Sequence, residues 1–188
     1  TMSRGPDPYL PHCFGHEAVG DVLEVGEEVN GLSVGDRVII SWMKASADCH
    51  DPPKFTEELG ADVNFGQCCT FVTRGVFPEN RVFKIDKSIA TDIAALLGCA
   101  LLTAYAALKC ATSVSKGDKS EIAIVGSGGI GLSVAALCQA FDWSAICVDT
   151  PAVTTHLEMQ DLGFQFTSTD MARAQRAGKH PIVIVCTG

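Results

Sequence analysis

Two clusters in this chain carry chemistry by residue type and spacing. The first is Gly126-Ser127-Gly128-Gly129-Ile130-Gly131. It follows the apolar run Glu121–Val125, which reads as a strand buried on both faces, and it opens Ile130–Phe141, which reads as a helix. Gly126 permits a tight turn, Gly128 lets the backbone approach a pyrophosphate, and Gly131 lets the helix pack close to the sheet. The helix N-terminus adds unpaired N–H groups and partial positive charge, and Gly129 and Ile130 sit at that end. A second strand, Ser144–Val148, ends at Asp149, where a carboxylate can accept hydrogen bonds from ribose hydroxyls. Negative charge there, with no Arg in the four residues that follow, favours NAD over NADP.

The second cluster is His16-Glu17, inside Gly15-His16-Glu17-Ala18-Val19-Gly20. Imidazole and carboxylate are metal donors, but position 20 is Gly, so the His-Glu-x-x-His pattern of zinc proteases is absent. A single His beside a strand is more often structural than a ligand.

The elements that must position these residues change character along the chain. Residues 1–88 are mostly β. Val22–Val25, Val38–Ile40, Cys69–Val76 and Arg81–Ile85 read as strands, with turns at Gly26, Gly31 and Gly35-Asp36. Ser41–Asn64, with Asp51-Pro52-Pro53, reads as an inserted lobe or loop. Thr91 is expected to cap a helix that begins with Asp92, and Ile93–Leu97 and Leu101–Leu108 are helical by composition. After the βαβ unit around Gly126, helices are expected over Thr154–Leu162 and Asp170–Ala177. Strands are expected over Phe164–Thr167 and Pro181–Cys186.

Composition narrows the function classes. Of 188 residues, 47% are hydrophobic and 19% charged, which suits a folded core. A net charge of −8 without a Lys/Arg run argues against a nucleic-acid partner or an anionic membrane surface. The longest apolar stretch, Ile93–Leu108, is shorter than the roughly 18 residues of a membrane span. Nine cysteines, an odd number without a Cys-x-x-Cys pair, suit a reducing compartment in which most thiols act as small buried hydrophobes. A soluble, cytoplasmic protein is expected.

The wider pattern resembles a known family. Gly15-His16-Glu17 is followed by Gly20, Gly26, Val29 and Val34-Gly35-Asp36-Arg37-Val38. Further on come Pro78–Asp86, then Leu96-Leu97-Gly98-Cys99-Ala100 with Thr103-Ala104-Tyr105, then Gly126–Asp149. This series is similar, in order and spacing, to the zinc-containing alcohol dehydrogenases of the medium-chain dehydrogenase/reductase superfamily. Asn64-Phe65-Gly66-Gln67 faintly resembles the aryl-alcohol branch.

The resemblance implies an α/β fold: a partial GroES-like β-rich catalytic domain over residues 1–100, then an incomplete Rossmann domain, a doubly wound parallel sheet, over 101–188. It implies that His16 and Cys99 are catalytic zinc ligands and that Glu17 is a neighbouring acid able to exchange with solvent as a ligand. It implies hydride transfer between NAD and a small alcohol, aldehyde or ketone. Cys13, three residues before His16, has no metal counterpart in the family.

The chain also departs from the pattern. The family's first metal cysteine and its proton-shuttling neighbour are not found upstream of His16. Only Cys49 lies where the family carries four cysteines, so no structural zinc is expected. The sheet is expected to stop short after Ile182–Cys186, so the chain reads as truncated at both ends. That would leave an apolar sheet edge for a second copy or another partner to cover. Two other readings compete: a non-catalytic dinucleotide-binding or scaffold protein, and a zinc-free NAD(P)H enone or quinone reductase of the same superfamily.

Overall fold

The computed structural model describes residues 10–45, 54–58, 60–114, 122–154, 161–168 and 182–187, and all that follows concerns these. The chain divides into two compact units, residues 1–99 and 100–188.

The first unit is built on a three-stranded antiparallel sheet in the order β1-β2-β5, with β1 Ala18–Asp21, β2 Arg37–Ile40 and β5 Val82–Lys84. The central strand carries the apolar residues: Val38, Ile39 and Ile40 are all buried. The β1–β2 register sets Ala18 opposite Ile40 and Asp21 opposite Arg37, and Arg37 Nε donates to Asp21 Oδ1 at 2.7 Å. Gly35 turns at φ +86°, a conformation that favours glycine. Asp36 beside it accepts from Ser33 N at 3.0 Å and pairs with Lys84 Nζ at 2.7 Å. These bonds account for the Gly-Asp-Arg sequence between the strands. A short hairpin, β3 Phe55–Thr56 with β4 Asp62–Val63, lies within the stretch expected to be an inserted lobe.

Three local expectations for this unit are corrected. Val22–Val25 is not a strand: the ladder ends at Asp21, and Val22 bonds only the turn, donating to Asp36 O and accepting from Gly35 N. Cys69–Val76 is irregular, because Thr70 N and Phe71 N both turn to the single carbonyl of Phe14 and leave the Phe71 ring 78% exposed. Thr91 is not the cap of α1 (Thr91–Leu96) but its first residue; Ala90 precedes it and makes no side-chain bond.

The second unit holds α2 (Ala100–Val114), β6 (Ile122–Val125), α3 (Gly129–Ala140), β7 (Ala145–Asp149), α4 (Pro151–Thr154), β8 (Gln165–Ser168) and β9 (Ile182–Val185). Its four strands are parallel in the order β8-β7-β6-β9, so the chain winds outward from β6 and then reverses to place β9 on the other side. That reversal is a topological switch point of the Rossmann kind. Ile122, Ile124, Val134, Cys138 and Cys147 pack into its core with Ala104 and Leu108 of α2. On β9 the side chains alternate: Ile182 is buried, while Val183 and Val185 are 56% and 66% exposed. The helix expected over Thr154–Leu162 begins earlier, at Pro151, and residues 155–160 lie outside the described residues, as does the helix expected over Asp170–Ala177. No helix among the described residues is long and apolar enough to cross a membrane.

Candidate functional site

The glycine turn stands where β6 ends at the switch point. Gly126 adopts φ +97°, which a side chain rarely tolerates, and a Cβ there would lie 2.7 Å from Thr187 Cγ2, just past the end of β9. Its N–H donates to Val148 O at 2.9 Å, tying the turn to β7. Gly131 presses against the Gly126 carbonyl, so any Cβ there would collide with backbone. The fold itself therefore requires these two glycines. Gly128 and Gly129 differ: both are exposed, and a Cβ on either would meet nothing within 4 Å. At Gly128, φ is −76°, so neither strain nor crowding within the chain demands glycine. Open space at the head of α3, above unpaired helix amides, fits a pyrophosphate brought close to the backbone.

Asp149 ends β7 beside this turn. Its Oδ2 accepts from Ser127 N at 2.5 Å and its Oδ1 from Thr150 N at 2.7 Å. The Ser127 amide bond is the chief reason its carboxyl is held below the ordinary carboxylate range. An ionised carboxylate has about four lone-pair sites, so two backbone bonds leave acceptors for hydroxyl donors. The structure thus brings Gly126, Gly128, Gly129, Ile130, Gly131 and Asp149 to one end of one sheet.

In the first unit, His16 Nε2 lies 3.2 Å from Cys99 Sγ, across 83 positions of sequence. Cys99 directly follows Gly98, at the end of the turn after α1; His16 stands just before β1. Donors bound to one tetrahedral zinc, with Zn–S about 2.3 Å and Zn–N about 2.05 Å, stand roughly 3.6 Å apart. The pair fits that requirement with little movement. Among the described residues no third His, Cys, Asp or Glu completes a set that could hold a metal ion. Glu17, next to His16, is half-buried. The Cys13 thiol donates to Phe14 O at 3.9 Å, and the Cys13 carbonyl accepts the Cys69 thiol at 2.8 Å.

Two residues near the pair went unrecognised in the sequence. The Trp42 ring stands edge-on to His16, with ring centroids 6.2 Å apart at 74°. Its carbonyl accepts from Arg81 Nη1, and Arg81 Nη2 donates to Gln67 Oε1 at 2.7 Å, which holds the segment after β2. Ser41 is 3% exposed, and its hydroxyl donates to Gly98 O at 2.9 Å. The only available signal was that Ser41-Trp42 continues directly from the apolar strand.

Comparisons agree with this architecture. The family model described as alcohol dehydrogenase GroES-like domain matches residues 1–87. "Alcohol dehydrogenase-like 5" of Arabidopsis thaliana is 28% identical over 207 aligned residues, covering 96% of this chain and 52% of that protein. "Alcohol dehydrogenase 6" of Peromyscus maniculatus is 30% identical over 167 residues, covering 76% and 44%. The solved "Alcohol dehydrogenase TADH from Thermus sp. ATN1" superposes with a TM-score of 0.69 at 19% identity, covering 93% of this chain and 55% of that one, a likeness of fold. The chain spans about half the length of the curated relatives it matches.

Proposed function

Since the chain belongs to the medium-chain alcohol dehydrogenase family, we propose that its residues serve hydride transfer between NAD and a small alcohol, aldehyde or ketone. In this reading His16 and Cys99 hold a catalytic zinc, with Glu17 the adjacent acid, and the turn over 126–131 with Asp149 holds the dinucleotide. The observation that carries it is the apposition of imidazole and thiol at 3.2 Å, from opposite ends of the first unit.

Bound zinc would supply Lewis-acid polarisation of the substrate oxygen, and bound NAD the hydride acceptor. The chain's own residues do the holding. His16 offers Nε2 and Cys99 its sulfur as donors of the types zinc takes at an open site. The Trp42 ring stands edge-on beside His16. Gly128 and Gly129 keep the space over the head of α3 clear for phosphate oxygens. Asp149, already ionised and fixed by two amides, offers its remaining lone pairs to ribose hydroxyls and repels a 2′-phosphate. A cytoplasmic location accords with an odd number of cysteines, of which Cys68, Cys69, Cys138 and Cys147 are buried as small apolar groups.

Elemental analysis and calorimetric NAD titration of the same preparation test this reading. The wild type is expected to hold zinc and NAD and to form NADH from an alcohol. His16→Ala is expected to weaken zinc at least about 100-fold while NAD affinity stays unchanged. Zinc-free protein that reduces an enone with full activity in His16→Ala would transfer the assignment to the metal-independent reductases. NAD binding with neither zinc nor turnover would favour the scaffold reading.

A further inference from the structure

His16 and Cys99 lie on segments with no covalent reason to meet, so something within the first unit must hold both. The end of β2 touches each of them at one remove. On one side, Ile40 pairs with Ala18, which begins β1 two residues after His16. On the other, Gly98 packs so tightly on the Ile40 carbonyl that a Cβ at position 98 would collide with it. Ser41 follows directly. It is buried, its backbone N–H donates to Arg81 O at 2.9 Å, and its hydroxyl donates to Gly98 O at 2.9 Å. The same oxygen accepts from Met43 N at 3.1 Å, so its one donor and one of its two acceptor sites are engaged and its rotamer is set. A buried hydroxyl held this way is an anchor, because releasing its bond to Gly98 leaves a buried backbone carbonyl without that partner.

We propose that Ser41 is the positioning residue of the His16–Cys99 pair, fastening the peptide that precedes Cys99 to the strand end that also sets His16. The inference deepens the zinc reading above and rests on it for its consequence. The fastening itself is a property of the metal-free chain. Ser41 makes its hydrogen bonds to Gly98, Met43 and Arg81, and it acts on Cys99 through Gly98.

The test uses the whole chain with Ser41→Ala, Ser41→Thr and, as a control, Val38→Ala. Val38 is buried in the same strand but faces Gly20 and Lys84 in the ladder. Two readouts are taken. In metal-free protein, the rate of iodoacetamide labelling at Cys99 is followed by peptide mass spectrometry, with Cys138 and Cys147 of the second unit as internal references. In parallel, cobalt(II) is titrated and followed by thiolate-to-cobalt charge-transfer absorption. Ser41→Ala is expected to change labelling at Cys99 alone and to weaken cobalt about 10–100-fold. Ser41→Thr, which keeps the hydroxyl, should restore both. Val38→Ala should lower the unfolding midpoint yet leave cobalt affinity within about twofold. Wild-type labelling and cobalt affinity in Ser41→Ala would overturn the inference. So would an equal loss in Val38→Ala, or labelling of Cys138 and Cys147 rising together with Cys99, since either marks general loosening. Absence of the thiolate–cobalt band in the wild type would sink the zinc reading instead, and the Cys99 labelling would still decide the role of Ser41.

Discussion

In the second unit the groups that face the proposed dinucleotide lie close in sequence: Asp149 and Ser127 are 22 positions apart and bond at 2.5 Å. One strand, one turn, one helix and the next strand deliver them all. In the first unit His16 and Cys99 stand 83 positions apart and meet only through the sheet and the turn after α1. The first arrangement is a property of a βαβ motif and travels with it. The second depends on register: Ala18 must sit opposite Ile40, and Gly98 must seat on the Ile40 carbonyl. A one-residue slip would leave the glycine turn intact and separate His16 from Cys99.

The strongest way to break this contrast is a pair of glycine substitutions. Gly131→Ala and Gly98→Ala each place a Cβ against a backbone carbonyl that cannot yield, of Gly126 and Ile40 respectively. Each is expected to destabilise its own unit by about 3 kcal/mol, read from urea unfolding. Gly131→Ala should abolish NAD binding and spare cobalt uptake, and Gly98→Ala should do the reverse. Loss of both ligands in either variant would show that the two sites stand or fall together.

A smaller effect is expected from Asp149→Asn. If Asp149 accepts ribose hydroxyls as proposed, removing its charge should weaken NAD about tenfold and narrow the proposed preference over NADP, measured by calorimetric titration of both. Cobalt affinity should stay put. An unchanged NAD affinity would mean that Asp149 serves only to brace Ser127 and Thr150.

The smallest effect concerns pH. Burial raises the Cys138 and Cys147 thiols of the second unit from 9.0 to about 11. In the first unit burial, with Cys13 beside it, does the same to Cys69. Above 9.0 the unfolded chain loses these protons while the folded chain keeps them. Their contribution to stability is therefore complete below pH 9.0 and is lost as pH rises through about 11. Asp149 works in the opposite sense: its lowered value contributes above the ordinary carboxylate range and is lost as pH falls through the folded-state value. Unfolding midpoints should be lower near pH 10 than near pH 8 in both units, and the drop larger in the second, which among the described residues holds two thiols raised to about 11 against one in the first. A flat profile would mean that these thiols exchange with solvent.

Much of this was legible in advance, for reasons particular residues explain. The strands around the glycine turn were placed within a residue, because Ile122–Val125 and Ala145–Asp149 are short apolar runs bounded by turn signals. Val22–Val25 and Cys69–Val76 were misread because β-branched and aromatic residues also occupy irregular backbone. What ends a ladder is where its amides find acceptors: Val22 at Asp36, and Thr70 and Phe71 at Phe14. The Thr91 cap failed similarly, since a hydroxyl at a helix start says nothing about which residue has left helical geometry.

By itself the sequence determined the glycine turn after β6, the carboxylate beside it and the side-chain chemistry at His16 and Cys99. Each follows from local backbone demand or side-chain chemistry, which a linear pattern records. Only the tertiary structure decided that imidazole and thiol stand 3.2 Å apart, that Trp42 lies edge-on to the imidazole, and that Ser41 ties the Cys99 segment to the strand. Those facts depend on long-range register and on the seating of one glycine against one carbonyl. No spacing along a chain encodes where two distant segments cross; packing and hydrogen bonding between them do.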